Sequence, residues 1–299
     1  SDVNIPPPPG LLGKMLKSEQ KLPKMTALRW IRSHPTIEIL PDIFALLKKE
    51  NPPSVTTETL LTLRSLKYPV PIDLILPFAS HEKQNVRKET IRLLYVLNEI
   101  TAATIVREKL SDPSTSVRKV ALEYLWKIRG QQILETVLEI YLEEGSEQGD
   151  LAATYLIQNW DWAEPRLKNA TRFKNTAVRH RAFRLLYRIG GTPILNHAME
   201  DSEAEIRLWA LRRVLSRNHP ATLSTLEKLT TDESSHIRFE AIRGLVRRGK
   251  RDRLQELIPF LEGDDYLHQV EASETLFDYS RNKTSMSNTC SIKMILFNC

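Results

Sequence analysis

One stretch constrains this chain more than any other: Asp112-Pro-Ser-Thr-Ser-Val117-Arg118-Lys-Val-Ala121-Leu122-Glu-Tyr-Leu125-Trp-Lys-Ile128. It returns in register along nearly the whole sequence. With the small residue Ala121 as anchor, the equivalents are Ala27, Thr59, Thr90, Ala152, Ala182, Ala210, Ala241 and Ala272, separated by 28 to 32 residues. A fixed period of this length with a recurring small residue marks stacked supersecondary units. Four residues before the anchor stand Val55, Val86, Val117, Val178, Ile206 and Ile237; four after it stand Ile31, Leu63, Leu94, Leu125, Leu156, Leu186, Val214, Leu245 and Leu276. These offsets make one apolar stripe of an α-helix, with the anchor where two helices press closest. Three before the anchor runs an arginine column, Arg87, Arg118, Arg179, Arg207 and Arg238, and Asp112, Asp201 and Asp232 lie six residues before three of these arginines. The aspartate suits a helix start and the arginine a neighbouring acid or carbonyl, so the spacing predicts a structural inter-repeat pairing.

The pattern Asp…Val-Arg-x-x-Ala-Leu-x-x-Leu resembles the HEAT repeat, in particular the short bacterial, phycobilisome-lyase-type repeat of about 31 residues. The resemblance covers roughly residues 25–280. It implies an all-α fold, an α-solenoid (superhelix) of 8–9 antiparallel helix pairs, the second helix of each pair lining a concave face. Such scaffolds host many jobs, so the resemblance speaks for fold and hardly for function. Composition agrees: 41% hydrophobic and 27% charged residues are ordinary for a soluble protein, and only 10 Gly occur in 299 residues. No apolar run is long enough to span a bilayer. The two cysteines, Cys290 and Cys299, stand in the C-terminal tail, which argues against a disulfide framework and for a reducing, cytoplasmic setting.

Three segments are expected: residues 1–24 as a Pro-rich linker or tether, 25–280 as the repeat array, and 281–299 as a tail. Pro6 to Pro9 and Gly10 read as an extended spacer, and Leu11-Leu-Gly-Lys14-Met-Leu16-Lys17 as a basic-apolar stretch suited to a peripheral membrane contact at the cytoplasmic face. The initial Ser1 is compatible with a fragment of a longer protein.

Charge carries the functional reading. Residues 131–165 hold eight acids and no Lys or Arg, whereas in 166–253 Lys and Arg outnumber Asp and Glu by more than two to one. Segregated charge suggests an electrostatically directed surface. Offsets of one before, two after and six after the anchor share the helix face opposite the buried stripe. In the basic repeats that face reads Arg181, Arg184, Arg188; Trp209, Arg212, Ser216; and Glu240, Arg243, Arg247. The expectation is a ladder of Arg184, Arg212 and Arg243 with Trp209 beside it, enlarged by Arg213, Arg217, Arg248, Lys250 and Arg251. The plainer alternative is a solvated helix face.

Catalytic and metal-site motifs are missing from the sequence. The seven histidines, His34, His81, His180, His197, His219, His236 and His268, are dispersed, and no HExxH, CxxC or GxSxG occurs. His81-Glu82 is similar to the pairs of deoxyhypusine hydroxylase, a HEAT-repeat di-iron enzyme, but that family needs four and this chain has one. No catalytic residue, metal ligand, cofactor or small-molecule substrate is therefore expected. Three functions remain: a non-enzymatic adaptor binding an acidic protein or peptide; a nucleic-acid binder or AlkD-like DNA glycosylase, for which Trp160-Asp161-Trp162 is the lure; and a bilin-lyase-like chaperone, resting on analogy alone. The adaptor leads, because repeat arrays usually serve as extended binding surfaces.

Overall fold

All nine anchor residues are completely buried: Ala27, Thr59, Thr90, Ala121, Ala152, Ala182, Ala210, Ala241 and Ala272 are each 0% exposed in the computed structural model. At Thr59 and Thr90 the hydroxyl donates to the carbonyl four residues back, Val55 O and Val86 O, both at 2.8 Å, so a polar side chain fills the slot without an orphaned group. The structure describes residues 9–143, 147–216 and 223–283, and among them it is helical with no strand.

The helices in chain order are α1 (Pro9–Lys17), α2 (Lys21–Ser33), α3 (Leu40–Leu47), α4 (Pro53–Leu66), α5 (Ile72–Ile75), α6 (Gln84–Leu97), α7 (Ala103–Glu108), α8 (Thr115–Arg129), α9 (Leu134–Glu143) and α10 (Glu147–Gln158). They continue as α11 (Trp160–Ala170), α12 (Thr176–Gly190), α13 (Pro193–Ala198), α14 (Ala204–Ser216), α15 (Leu223–Leu229), α16 (Ser235–Arg247), α17 (Ile258–Glu262) and α18 (Tyr266–Lys283). From α2 onward, each even-numbered helix carries one anchor. The short odd-numbered helices are punctuated by proline: Pro41 and Pro193 stand in the first turns of α3 and α13, where the missing N–H costs nothing. Lys67 and Asn98 end α4 and α6 in the left-handed region, at φ 50° and 56°.

The chain falls into two units, residues 1–163 and 164–299. In the first, α2, α4, α6 and α8 pack side by side, and their buried faces share one core with Leu12 and Leu16 of α1. In the second, α14 packs on α16 and α16 on α18, over a core that includes Phe183, Leu195, Leu211 and Leu226.

The N-terminal segment departs from the sequence expectation of a linker over residues 1–24. Pro9 and Gly10 open a helix, because proline's fixed φ suits the first helical position. Leu12 and Leu16 are 2% and 1% exposed, packed against α2 and α3, and Lys17 Nζ lies 2.9 Å from Asp42 Oδ1. Leu12 and Leu16 of α1 thus face the core while Leu11 stays exposed, and α1 is the helix that pairs with α2. At the other end α18 continues to Lys283, past the expected boundary at 280. Pro6 to Pro8, Arg217, His219, Cys290, Cys299 and the rest of the expected tail lie outside the described residues.

The arginine column forms a repeated fork between neighbouring repeats. Arg87 Nε and Nη2 donate to Asp112 Oδ2 and Oδ1, both at 2.7 Å, while Nη1 donates to the carbonyls of His81 and Glu82. Arg179 grips Asp201 at 2.9 and 2.8 Å and the carbonyls of Phe173 and Lys174. Arg207 grips Asp232 at 2.8 Å twice and the carbonyls of Asp201 and Ser202. Each guanidinium therefore ties its own inter-helix loop to the aspartate of the next repeat. The aspartate also accepts the N–H two residues on, from Ser114, Glu203 or Ser234, which shapes the turn before the helix instead of serving as its N-cap. Arg118 finds Gln148 in place of an aspartate, at 3.1 Å, and Arg238 holds its own loop carbonyls, Asp232 O and Glu233 O.

Burial alone pushes the carboxyls of Asp112, Asp201 and Asp232 up, but the arginine fork, the backbone N–H and the arginine charge outweigh it and hold all three below the usual aspartate value. A carboxylate depressed in the folded state contributes stability that is present above its unfolded value, about 3.9, and is lost as pH falls through the lower folded value. The stability difference between wild type and an Asp201→Asn, Asp232→Asn variant, measured by denaturant unfolding, should therefore stay constant above about pH 5 and shrink below about pH 4. A difference that did not change with pH would show that the forks carry no linked charge.

Candidate functional site

A second column of charge decides which arginines remain exposed. One residue before the anchor, a glutamate recurs at Glu58, Glu89 and Glu240; arginines of the preceding repeat converge on it, joined at Glu89 and Glu240 by one of its own repeat. Glu58, with a 10% exposed side chain, lies 2.8 Å from Arg32 Nη1. Glu89, 6% exposed, lies 2.9 Å from Arg92 Nη1 and 3.3 Å from Arg64 Nη2. Glu240, also 6% exposed, lies 2.7 Å from Arg243 Nη2 and 3.3 Å from Arg212 Nε. These carboxylates are nearly dry, and each is compensated by guanidinium groups, as a buried charge must be.

The expected ladder of Arg184, Arg212 and Arg243 is accordingly not uniform. Arg243 is 14% exposed, clamped by Glu240 and, at 2.8 Å, by Glu271 Oε2, with its guanidinium 5.4 Å from the Phe239 ring. It ties α16 to α18, two neighbouring repeats, and is no open contact residue. Arg212 remains 55% exposed but leans on Glu240. Arg184 differs because the residue that would face it in the next repeat, where Glu240 faces Arg212, is Trp209. The Trp209 ring instead meets His180 edge-on at 5.4 Å and Tyr187 at 5.9 Å. Among the described residues Arg184, Arg188, Arg213 and Arg247 are exposed and make no side-chain hydrogen bond or ion pair. Arg181 is half-buried. Arg248 donates to Val214 O at 3.3 Å, and Lys250 lies 3.7 Å from Glu227.

The arrangement on α12 and α14 is thus an aromatic cluster of His180, Tyr187 and Trp209 bordered by Arg184 and Arg188. Burial, then the Arg184 charge, lowers the His180 imidazole from its usual value, so at neutral pH it is an uncharged ring. Chemically the surface offers exposed cations beside aromatic rings, suited to carboxylates or other anions. His180 and Tyr187 were not singled out from sequence. The available signal was that they sit seven residues apart on one helix, facing the Trp209 column. Lys168, Arg172 and Lys174 border a different open groove of about 680 Å³, beside the half-exposed Phe173. Trp160 and Trp162 are both half-buried on α11.

The dispersed histidines also need correction. His236 and His268 come together, with ring centroids 4.4 Å apart. They are 32 residues apart in sequence, one repeat, which is why separation in the chain becomes adjacency in the stack.

Residues 191–274 match the sequence profile of the HEAT repeats family. No curated protein matches the chain in sequence. Among solved structures it is similar to an engineered protein, at 17% identity over 90% of this chain and 88% of that one with a TM-score of 0.37. It is also similar to YibA of Escherichia coli, at 16% identity over 83% and 97% with a TM-score of 0.40. A third is human deoxyhypusine hydroxylase bound to glycerol, at 16% identity over 78% and 93% with a TM-score of 0.36. Superpositions this loose carry no argument about what the chain does.

If Glu240 masks Arg212 and Arg243, the Glu240→Gln variant should carry a more accessible positive surface. It should elute from a sulfonate cation-exchange column at higher salt than the wild type, and lose about 1–3 kcal/mol in denaturant unfolding because Arg243 loses one charged partner. Elution no later than that of a surface Glu262→Gln control would contradict the masking.

Proposed function

We propose that this chain, with HEAT repeats at residues 191–274, is a non-enzymatic interaction scaffold that grips an acidic protein or peptide with the arginines its own carboxylates leave uncompensated. A stack of helical repeats is consistent with an interaction role in general, since such arrays present broad, regular surfaces. The specific reading is supported by one contrast. Arg212 and Arg243 are held by Glu240, whereas Arg184 and Arg188 stand exposed beside the Trp209 cluster without an acid. An aromatic side chain with arginines around it is a frequent composition for interface contacts. The contact set is therefore narrower than the sequence reading: Arg184, Arg188, Arg213 and Trp209, with Arg247 at its edge.

A nucleic acid is the second reading. The specific observation in its favour is the groove bordered by Lys168, Arg172 and Lys174 with Phe173 beside it, where phosphates and a base could both be met. Trp160 and Trp162, half-buried on α11, give no separate support to a glycosylase, and nothing favours a bilin lyase.

The experiment is affinity capture from the native host with and without nuclease, comparing wild type with an Arg184→Glu, Arg188→Glu, Arg213→Glu variant. The scaffold reading expects a discrete protein that survives nuclease, is lost with the triple variant, and is lost while the circular dichroism stays unchanged. Capture of the same protein by the folded triple variant would remove this surface from consideration. Capture abolished by nuclease, with affinity falling steeply with salt, would transfer the function to nucleic acid.

A further inference from the structure

His236 is the second residue of α16, half-buried, and His268 lies in the first turn of α18, 4% exposed. Asp265 immediately precedes α18. Its Oδ1 accepts the backbone N–H groups of Leu267 and His268 at 3.0 and 3.3 Å, and its Oδ2 lies 3.3 Å from His268 Nδ1. One donor atom from each of His236, Asp265 and His268 falls within 4.8 Å of the other two. Phe239 and Phe260 wall the His268 ring, at centroid distances of 4.5 and 5.6 Å. His268 Nδ1 is the ring nitrogen that lies against Asp265 Oδ2.

We propose that His236, Asp265 and His268 form a binding site for one divalent transition-metal ion of the zinc type, which staples α18 to α16. Two imidazoles and one carboxylate are borderline donors suited to zinc and its neighbours and poorly suited to magnesium, which prefers an all-oxygen shell. Tetrahedral zinc with bonds of about 2.0–2.1 Å sets its ligand atoms about 3.3 Å apart. The three donors are already close, with Asp265 Oδ2 3.3 Å from His268 Nδ1 and one atom of each residue within 4.8 Å of the others. The backbone N–H groups on Asp265 Oδ1 hold that carboxylate in place, as hydrogen bonds to metal-ligating carboxylates do. Three protein donors leave a fourth position for water or a group from outside the chain. The aromatic wall around His268 excludes solvent from one side and strengthens the interaction.

The test is titration of the chelator-treated full chain with zinc chloride by calorimetry, with cobalt(II) absorption as the second readout. It is run in a Cys290→Ser, Cys299→Ser background so that tail thiols cannot compete. One ion per chain is expected, with a raised unfolding temperature, a cobalt spectrum lacking thiolate charge-transfer bands, and no effect of magnesium. His236→Gln, at the more exposed position, and His268→Gln should each weaken binding at least about tenfold, since even outer-shell losses cost that much. Asp265→Asn, which retains the helix-capping acceptor, should weaken it as well. Absence of saturable one-to-one binding would overturn the proposal. Undiminished binding by a folded His236→Gln variant would overturn it too.

Discussion

The structure depends on a buried guanidinium that does two jobs at once. In Arg87, Arg179 and Arg207 one nitrogen closes the loop of the arginine's own repeat on two carbonyls, and the other two take the aspartate of the next repeat. Only arginine has a planar fork with enough donors for both, so lysine could not replace it. The side chains of these arginines are 9–12% exposed and those of the aspartates 3–6%, so neither charge can be left alone without a large desolvation cost. Hydrophobic stripes bring the repeats into contact. The fork specifies which register they adopt, because a slip of one residue would strand both partners.

The same arithmetic of charge shapes the outer surface. On the column before the anchor, Glu58, Glu89 and Glu240 absorb arginines that composition would count as free. The basic block of residues 166–253 is therefore less available than its formal charge suggests. Where Trp209 takes the place of glutamate, compensation stops and Arg184 is left to solvent. Glutamate holds this column at Glu58, Glu89, Glu240 and Glu271, and the proposed interaction surface lies where Trp209 stands in its place immediately before Glu240.

Much of this was readable in the sequence. The nine anchors, the arginine–aspartate pairing and the all-helical class follow from periodicity and from the need to satisfy buried charge. Three things were not. The helix at Pro9–Lys17 was hidden because a run of prolines reads as extended, although its last member is well placed to start a helix. The capture of Arg243 by Glu240 and Glu271 was hidden because a column of charges on one helix does not say which neighbours its side chains will reach. The meeting of His236 with His268 was hidden because the residues were counted along the chain instead of across the repeat.

The claim that inter-repeat forks lock the stack is tested most directly by a double-mutant cycle on Arg207 and Asp232, using Arg207→Met, Asp232→Asn and the double variant in reversible denaturant unfolding. The fork predicts a coupling energy of about 1–3 kcal/mol, each single variant costing more than its share because it strands the other partner. Additive single losses, with a coupling near zero, would mean that the two side chains only share a location and that packing alone sets the register.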